Sequence, residues 1–258
     1  MNLADSVVII TGAGNGIGAA MAHKFAALGA KTVLGDLDSD AVRRVAGEVG
    51  GIAVPGDVAS EQGVAELVDA AMGEHGRIDV FCANAGIGRD GGPEADEDAW
   101  AASWEVNVMS HVRAARAVLP HWLERGQGHF LGTASAAGLL TMLGSAPYSV
   151  TKHAAVAFAE YLNITYAAKG VTAQALCPQG VRTQLLESTG ETGQFLMADS
   201  AIEPSDVAEA VAEKLGGEEF LILPHPEVAD YYALRAAQPE RWQAGMRKLQ
   251  RKVEQRPV

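Results

Sequence analysis

Short apolar runs alternate with longer amphipathic stretches from the first residues of the chain almost to the last. Val7-Val8-Ile9-Ile10, Lys31 to Gly35, Gly51 to Pro55, Ile78 to Ala83, Gly128 to Thr133, Val171 to Cys177 and Glu219 to Leu223 have the length and apolar content of buried strands. Between them, Ala19 to Phe25, Ser39 to Val49, Ser60 to His75, Trp100 to Leu123, Pro147 to Lys169 and Pro204 to Leu215 read as helices. Ser60 supplies an N-cap, and Pro147 suits a first helical turn, where its missing N–H would have no partner in any case. This alternation predicts an α/β fold, a Rossmann-like doubly wound sheet of about seven parallel strands.

The 258 residues, 48% of them hydrophobic, suffice for a single domain with a sizeable core, and no linker, repeat or low-complexity tract divides them. No apolar stretch of about 18 residues and no charged-then-apolar leader is seen, so a cytoplasmic protein without a membrane span is expected. A formal net charge of −12 argues against nucleic acid, whose phosphates demand a basic face. Cys82 and Cys177 sit in strand-like runs as small buried hydrophobes, and the His residues lack metal-ligand spacing, so no metal is expected. Residues 226–258 read as a C-terminal helical extension. From Arg241 to Val258 it carries six basic residues against Glu254, with Trp242, Met246, Leu249 and Val253 at helical spacing. That pattern suits an amphipathic helix docked on its own protein or on a sister subunit.

Ligands of doubly wound sheets bind outside the carboxyl ends of the strands. The first strand runs into Thr11-Gly12-Ala13-Gly14-Asn15-Gly16-Ile17-Gly18 and then into a helix. Backbone approaches a pyrophosphate only where Cβ atoms are missing, and a helix's first turn offers free N–H groups and a positive dipole end. Gly12, Gly16 and Gly18 suit that task, although a glycine repeat also serves as a plain turn. Asp36 ends the second strand eighteen residues beyond Gly18, close to the roughly twenty expected of a carboxylate that accepts adenosine ribose hydroxyls. It favours NAD over NADP, because it repels a 2′-phosphate and neither Asn15 nor Leu37 offers a cation. Asp57, Asn84 to Gly86, Ser135 and Pro178 to Thr183 follow later strands and gather at the same edge.

Tyr148 and Lys152 are four residues apart on one helix, which sets phenol and ammonium on one face, roughly 5–6 Å apart at Cβ. A free tyrosine ionises near pH ~10, so acid–base work near neutrality asks for roughly 4 kcal/mol of preference for the phenolate. A held positive charge supplies part of it.

On these residues the chain resembles the short-chain dehydrogenase/reductase family, over its whole length apart from the last few tens of residues. The family's glycine motif appears at residues 11–18, its adenine-contacting pair as Asp57-Val58 and its Asn-Ala-Gly motif as Asn84-Ala85-Gly86. Its catalytic set appears in order as Asn107, Ser135, Tyr148 and Lys152. The resemblance implies that Tyr148, as phenolate, takes the proton of a substrate hydroxyl while the carbon gives hydride to the nicotinamide of NAD. Ser135 then holds the same oxygen. Lys152 lowers the tyrosine pKa and holds the nicotinamide ribose, and Asn107 positions a water that links the lysine to solvent. As plain structure, Asn107 would be a helix-interior residue bonding backbone and Ser135 a loop cap. After the sixth strand the family reads Pro-Gly-x-Val-x-Thr, whereas this chain has Pro178-Gln179-Gly180-Val181-Arg182-Thr183. Val181 and Thr183 still suit the nicotinamide carboxamide. Gln179 is expected to carry strain if its φ is positive, or else to reshape the loop.

The segments that shape a substrate pocket in this family are Leu139 to Ser145, Gln179 and residues 184–201. They bring Leu139, Leu140, Met142, Leu143, Leu185, Leu186, Phe195, Leu196 and Met197, with little positive charge beyond Arg182. A neutral, fairly hydrophobic secondary alcohol or its ketone is therefore the expected substrate, with a cis-dihydrodiol or polyol as the alternative. Gly190 and Gly193 suggest that 184–201 is a lid. A non-catalytic NAD-binding sensor or scaffold is the reading from another class, since fold alone proves no activity. The resemblance also implies a homo-oligomer, a tetramer or a dimer. The face of Ala154, Ala155, Ala157, Phe158 and Tyr161 suits close helix packing there.

Overall fold

A computed structural model describes residues 1–255 apart from the side chain of Glu191, so Arg256 of the basic C-terminal stretch lies outside the described residues. The strands are β1 (Val7–Thr11), β2 (Lys31–Asp36), β3 (Ile52–Pro55), β4 (Val80–Ala83), β5 (Gly128–Thr133), β6 (Val171–Leu176) and β7 (Leu221–Ile222). They form one sheet, parallel at every pairing, in the order β3-β2-β1-β4-β5-β6-β7. The first seven helices are α1 (Gly16–Ala27), α2 (Ser39–Val49), α3 (Glu61–His75), α4 (Glu97–Trp104), α5 (Ser110–Arg125), α6 (Ala137–Leu140) and α7 (Ala146–Tyr166). They are followed by α8 (Gln184–Glu187), α9 (Glu191–Met197), α10 (Pro204–Lys214), α11 (Glu227–Ala237) and α12 (Pro239–Glu254). Among the described residues no helix is long and apolar enough to cross a membrane.

Side-chain alternation along the strands builds a core on each face of the sheet. Val8 and Ile10 of β1 join Leu34, Val80 and Leu131 against α1, α2 and α10. Val7 and Ile9 turn the other way, joining Val33, Phe81 and Phe130 against α3, α5 and α7. The Ser60 hydroxyl caps α3 by accepting the Gly63 N–H at 3.0 Å, and Pro147 occupies the first turn of α7, both as the sequence predicts. Near the amino ends of the strands, Asp79 is buried. It accepts the Val7 N–H at 2.8 Å and pairs with Arg77 and Arg125 at 2.9 and 3.0 Å. Burial works to raise its carboxyl pKa, and the Val7 N–H and the two guanidiniums outweigh it, leaving the group below its usual range.

The helix expected over 100–123 is broken. A π-helical turn, Glu105–Met109, separates α4 from α5, with the Ser110 N–H bonded to the Glu105 carbonyl. The last strand, expected over 219–223, shrinks to two residues, because only Ala175 and Leu176 of β6 pair with it in register.

Candidate active site

A cavity of about 710 Å³ opens at the carboxyl edge of the sheet. Gly12, Asn15, Gly16 and Ile17 line it, with Asp36, Leu37, Asp57 and Val58. Asn84, Ala85 and Gly86 from the turn after β4 and Pro178, Gly180, Val181 and Thr183 from the turn after β6 also face it. So do Ser135, Tyr148 and Lys152. Two predicted residues stand behind the wall instead. Gly18 packs the start of α1 onto the glycine turn, where a Cβ would come within 2.1 Å of the Gly12 carbonyl oxygen. Asn107 is fully buried.

Several features of the cavity fit an anionic dinucleotide. Asn15 makes no side-chain cap and the first turn of α1 holds no acidic residue, so its leading N–H groups are left for an anion. Asp36 is fixed beside them. Its Oδ2 accepts the Gly14 N–H at 2.8 Å and its Oδ1 accepts the Asp38 N–H at 2.9 Å. The Asn84 amide donates to the carbonyls of Thr11 and Gly12 at 3.0 and 3.3 Å, tying the turn after β4 to the glycine turn.

The residues expected to react are positioned by β5, α6 and α7. Ser135 leaves β5 and accepts the Ala137 N–H at 3.1 Å. Tyr148 stands in the first turn of α7. Lys152, one turn on, donates to the Thr133 carbonyl at 2.9 Å and lies 5.6 Å from the centre of the Tyr148 ring. Burial pushes the Tyr148 phenol above its ordinary value, a hydrogen bond with Ser135 pulls it back in part, and the buried Cys177 thiol adds to the rise. This corrects the expectation that Lys152 lowers it: the ammonium is bonded to the Thr133 carbonyl, and burial lowers its own pKa to about 8. Cys82 and Cys177 are both buried, and their thiols are pushed up, that of Cys177 to about 12, chiefly by burial.

Asn107 lies in the π-helical turn. Its amide oxygen accepts the Ile87 N–H at 2.8 Å, while its Nδ2 donates to the Ile87 carbonyl at 2.9 Å and to Thr151 Oγ1 at 3.1 Å. The backbone of Gly86 and Ile87 is thereby drawn against the lysine. A Cβ at Gly86 would stand 3.1 Å from Lys152 Nζ and 3.2 Å from Asn107 Oδ1, so glycine suits that close approach. One turn beyond Asn107, His111 is fully buried with both ring nitrogens unpartnered among the described residues.

The substrate segments differ in part from expectation. Leu140, Met142, Leu143, Leu185, Leu186, Leu196 and Met197 line the cavity. Leu139 belongs to the core beside α7, and Phe195 is 41% exposed away from the lining. Gln179 lines the cavity without a positive φ, so it carries no left-handed strain. The only described non-glycine residues with positive φ are Asp5 and Thr141. Its N–H bonds His225 Nδ1 at 3.1 Å, and its Oε1 is buried without a partner among the described residues. Arg182 is paired with Glu203 at 3.0 Å and does not line the cavity; Arg89 does, exposed at its margin. Tyr231 of α11 and Trp242, Met246 and Leu249 of α12 also line it. The apolar stripe of α12 was visible in the sequence, but its destination was not.

The model of the short chain dehydrogenase family matches residues 6–194. The 1-deoxy-11-beta-hydroxypentalenate dehydrogenase of Streptomyces exfoliatus is 37% identical over 232 residues, covering 86% of this chain and 84% of that protein. The cis-4-hydroxycyclohexanecarboxylate dehydrogenase of Sinomonas cyclohexanicum is 33% identical over 220 residues, covering 81% of this chain and 88% of that protein. A short chain dehydrogenase/reductase from Burkholderia phymatum, solved in complex with NAD, superposes with a TM-score of 0.86 at 30% identity, covering 93% of this chain and 96% of that one.

Proposed function

The chain belongs to the short chain dehydrogenase family of oxidoreductases, and from that premise we propose that it interconverts an apolar secondary alcohol and its ketone with NAD(H). The observation that carries this reading is the convergence of Tyr148, Ser135 and Lys152 on a cavity shared with the α1 start and Asp36. Bound NAD supplies the acceptor for the hydride that leaves the carbinol carbon. Gly12, Gly16 and Ile17 suit its phosphates, Asp36 its adenosine ribose, and Val181 and Thr183 its carboxamide. The solved relative with NAD supports the choice of cofactor.

In oxidation, Tyr148 as phenolate takes the proton of the substrate hydroxyl, and in reduction the neutral phenol returns one to the ketone oxygen. Ser135 donates to the same oxygen and fixes its position. Lys152 holds a positive charge near the phenol, and Asn107 acts through Ile87, keeping the turn after β4 against the lysine. Residues 184–201, folded as α8 and α9, serve as the lid; the Gly190 N–H is bonded to Asp90 at 2.9 Å. The leucines and methionines of that segment and of 140–143 favour an apolar substrate body.

A specific observation supports a second reading, a hydroxy acid with the same apolar body. Arg89 lines the cavity margin with no ion-pair partner among the described residues, and a relative is named for a hydroxylated cyclohexanecarboxylate. The test mixes the chain with NAD or NADP and a panel of secondary alcohols, diols and hydroxy acids, beside Tyr148→Phe and Arg89→Gln. NAD-selective reduction that falls about a hundredfold or more in Tyr148→Phe supports the dehydrogenase. Loss confined to hydroxy acids in Arg89→Gln selects the second reading. Tight NAD binding without turnover of any alcohol would revive the sensor.

A further inference from the structure

We propose that Trp242, Met246 and Leu249 of α12, with Tyr231 of α11, form the specificity wall of the active site, built to hold the bulky apolar body of the alcohol. This rests on the dehydrogenase reading and adds where substrate size is selected. All four residues face the cavity that contains Ser135 and Tyr148. They lie past residue 194, where the matched family stretch ends.

The wall is anchored from one side only. Val228 of α11 is fully buried in the cluster that holds Leu139 and Cys177. Arg235, two turns further on, donates to the Leu139 carbonyl and to His153 Nε2, the latter at 2.9 Å, while His153 Nδ1 meets the Ser149 carbonyl at 2.8 Å. Thus α11 is fastened to α6 and to the catalytic helix α7. From there α12 folds back, with the Trp242 ring 6.4 Å from that of Tyr231. No side chain of α12 is buried. Trp242, Met246 and Leu249 are half-buried, and Arg247, Lys248, Arg251 and Lys252 are exposed. A sixteen-residue helix whose apolar stripe faces a cavity without being covered by its own core leaves that stripe for what fills the cavity. The occupant is the substrate body, because the cavity is continuous with the reacting groups. A short alcohol engages Tyr148 and Ser135 without reaching the wall.

The test is calorimetric binding of trans-2-decalol and of cyclohexanol to the NAD-saturated Tyr148→Phe chain, which removes turnover from the readout. Adding Trp242→Ala is expected to weaken decalol by about tenfold and cyclohexanol by less than about twofold. Trp242→Phe should restore most of the decalol affinity, and Lys248→Ala on the outer face should change neither. Equal weakening of both alcohols, unchanged decalol affinity in Trp242→Ala, or failure of decalol to bind at all would overturn the proposal. Failure of the dehydrogenase reading shows separately, as alcohols that bind the wild-type chain without forming NADH.

Discussion

Asn107 clasps the backbone of Ile87 on both sides of its Cα, accepting its N–H and donating to its carbonyl at 2.8 and 2.9 Å. An amide side chain here does the work of a neighbouring strand, in the one turn where the helix shifts to π-type pairing. Substituting aspartate keeps the acceptor and loses both donations, leaving the Ile87 carbonyl short of a partner and a carboxylate fully buried. Asn107→Asp is expected to destabilise the fold by about 2–3 kcal/mol and to lower kcat more than it raises KM. Urea unfolding beside steady-state kinetics checks this; a stable, fully active variant would remove Asn107 from the positioning role.

The pH dependence of the rate follows from Tyr148. Burial raises its phenol above the ordinary value, so the phenolate needed for oxidation becomes more abundant as pH rises, and the phenol needed for reduction prevails at lower pH. Oxidation kcat/KM should climb by up to about tenfold per pH unit on the acidic side of the ionisation, with reduction favoured at the other end. A profile flat from about pH 6 to about pH 10 would deny Tyr148 the acid–base task.

Acid stability is governed in part by two buried histidines. Burial first, with the Lys152 charge adding to it, pushes His111 down to about 3; burial and the N-terminal ammonium push His129 down to about 4. From 6.5 down to those values, the unfolded chain binds protons that the folded chain refuses, so stability falls as pH falls and is unaffected above that range. Each histidine contributes about 1.4 kcal/mol per pH unit inside its window. Urea midpoints at neutral and mildly acidic pH should diverge accordingly, and His111→Leu should remove about half of this histidine-dependent slope.

Thr141 holds φ at +72°, a left-handed conformation that a β-branched residue tolerates poorly, just before Met142 in the cavity wall. Thr141→Gly is expected to raise stability by about 1 kcal/mol, seen as a higher Tm. A fall in Tm would mean that the hydroxyl or methyl contributes more than the backbone strain costs.

Assembly is expected through α7. Ala155 is buried within the chain and Phe158 packs edge-on against Phe130, so part of the predicted helix face is already used. What remains outside is Val150, Ala157, Tyr161 and Ile164, a stripe at helical spacing with Ile164 at 76% exposure. A homo-oligomer, tetramer or dimer, covers such a stripe. Sedimentation of the wild-type chain at micromolar concentration should give a multimer that Ile164→Lys reduces in size; a wild-type monomer would contradict it.

The sheet, the glycine turn and Asp36 were legible because each depends on neighbours within one strand–turn–helix unit. The Tyr148–Lys152 pair was legible for the same reason, since four residues of helix fix their spacing. The π-helical turn at Glu105–Met109 was not: the side chain it carries, Asn107, is bonded to Ile87, twenty residues away in sequence, and nothing in the local pattern marks a shift of helical pairing. The direction of the Tyr148 shift was misread because it is set by burial, which belongs to the whole fold. Arg182 looked available until Glu203, distant in sequence, closed on it, whereas Arg89 sits in a short loop with no periodicity to read.

Chemistry and the far wall of the cavity occupy separate stretches of chain. Tyr148, Ser135 and Lys152 stand between β5 and the middle of α7, while Tyr231, Trp242, Met246 and Leu249 lie in one contiguous terminal piece fastened by Val228 and Arg235. That piece can therefore vary as a cassette. Swapping everything after His225, whose Nδ1 holds the Gln179 N–H, with the buried valine and the arginine retained, offers a route to new selectivity that leaves the hydride-transfer machinery untouched.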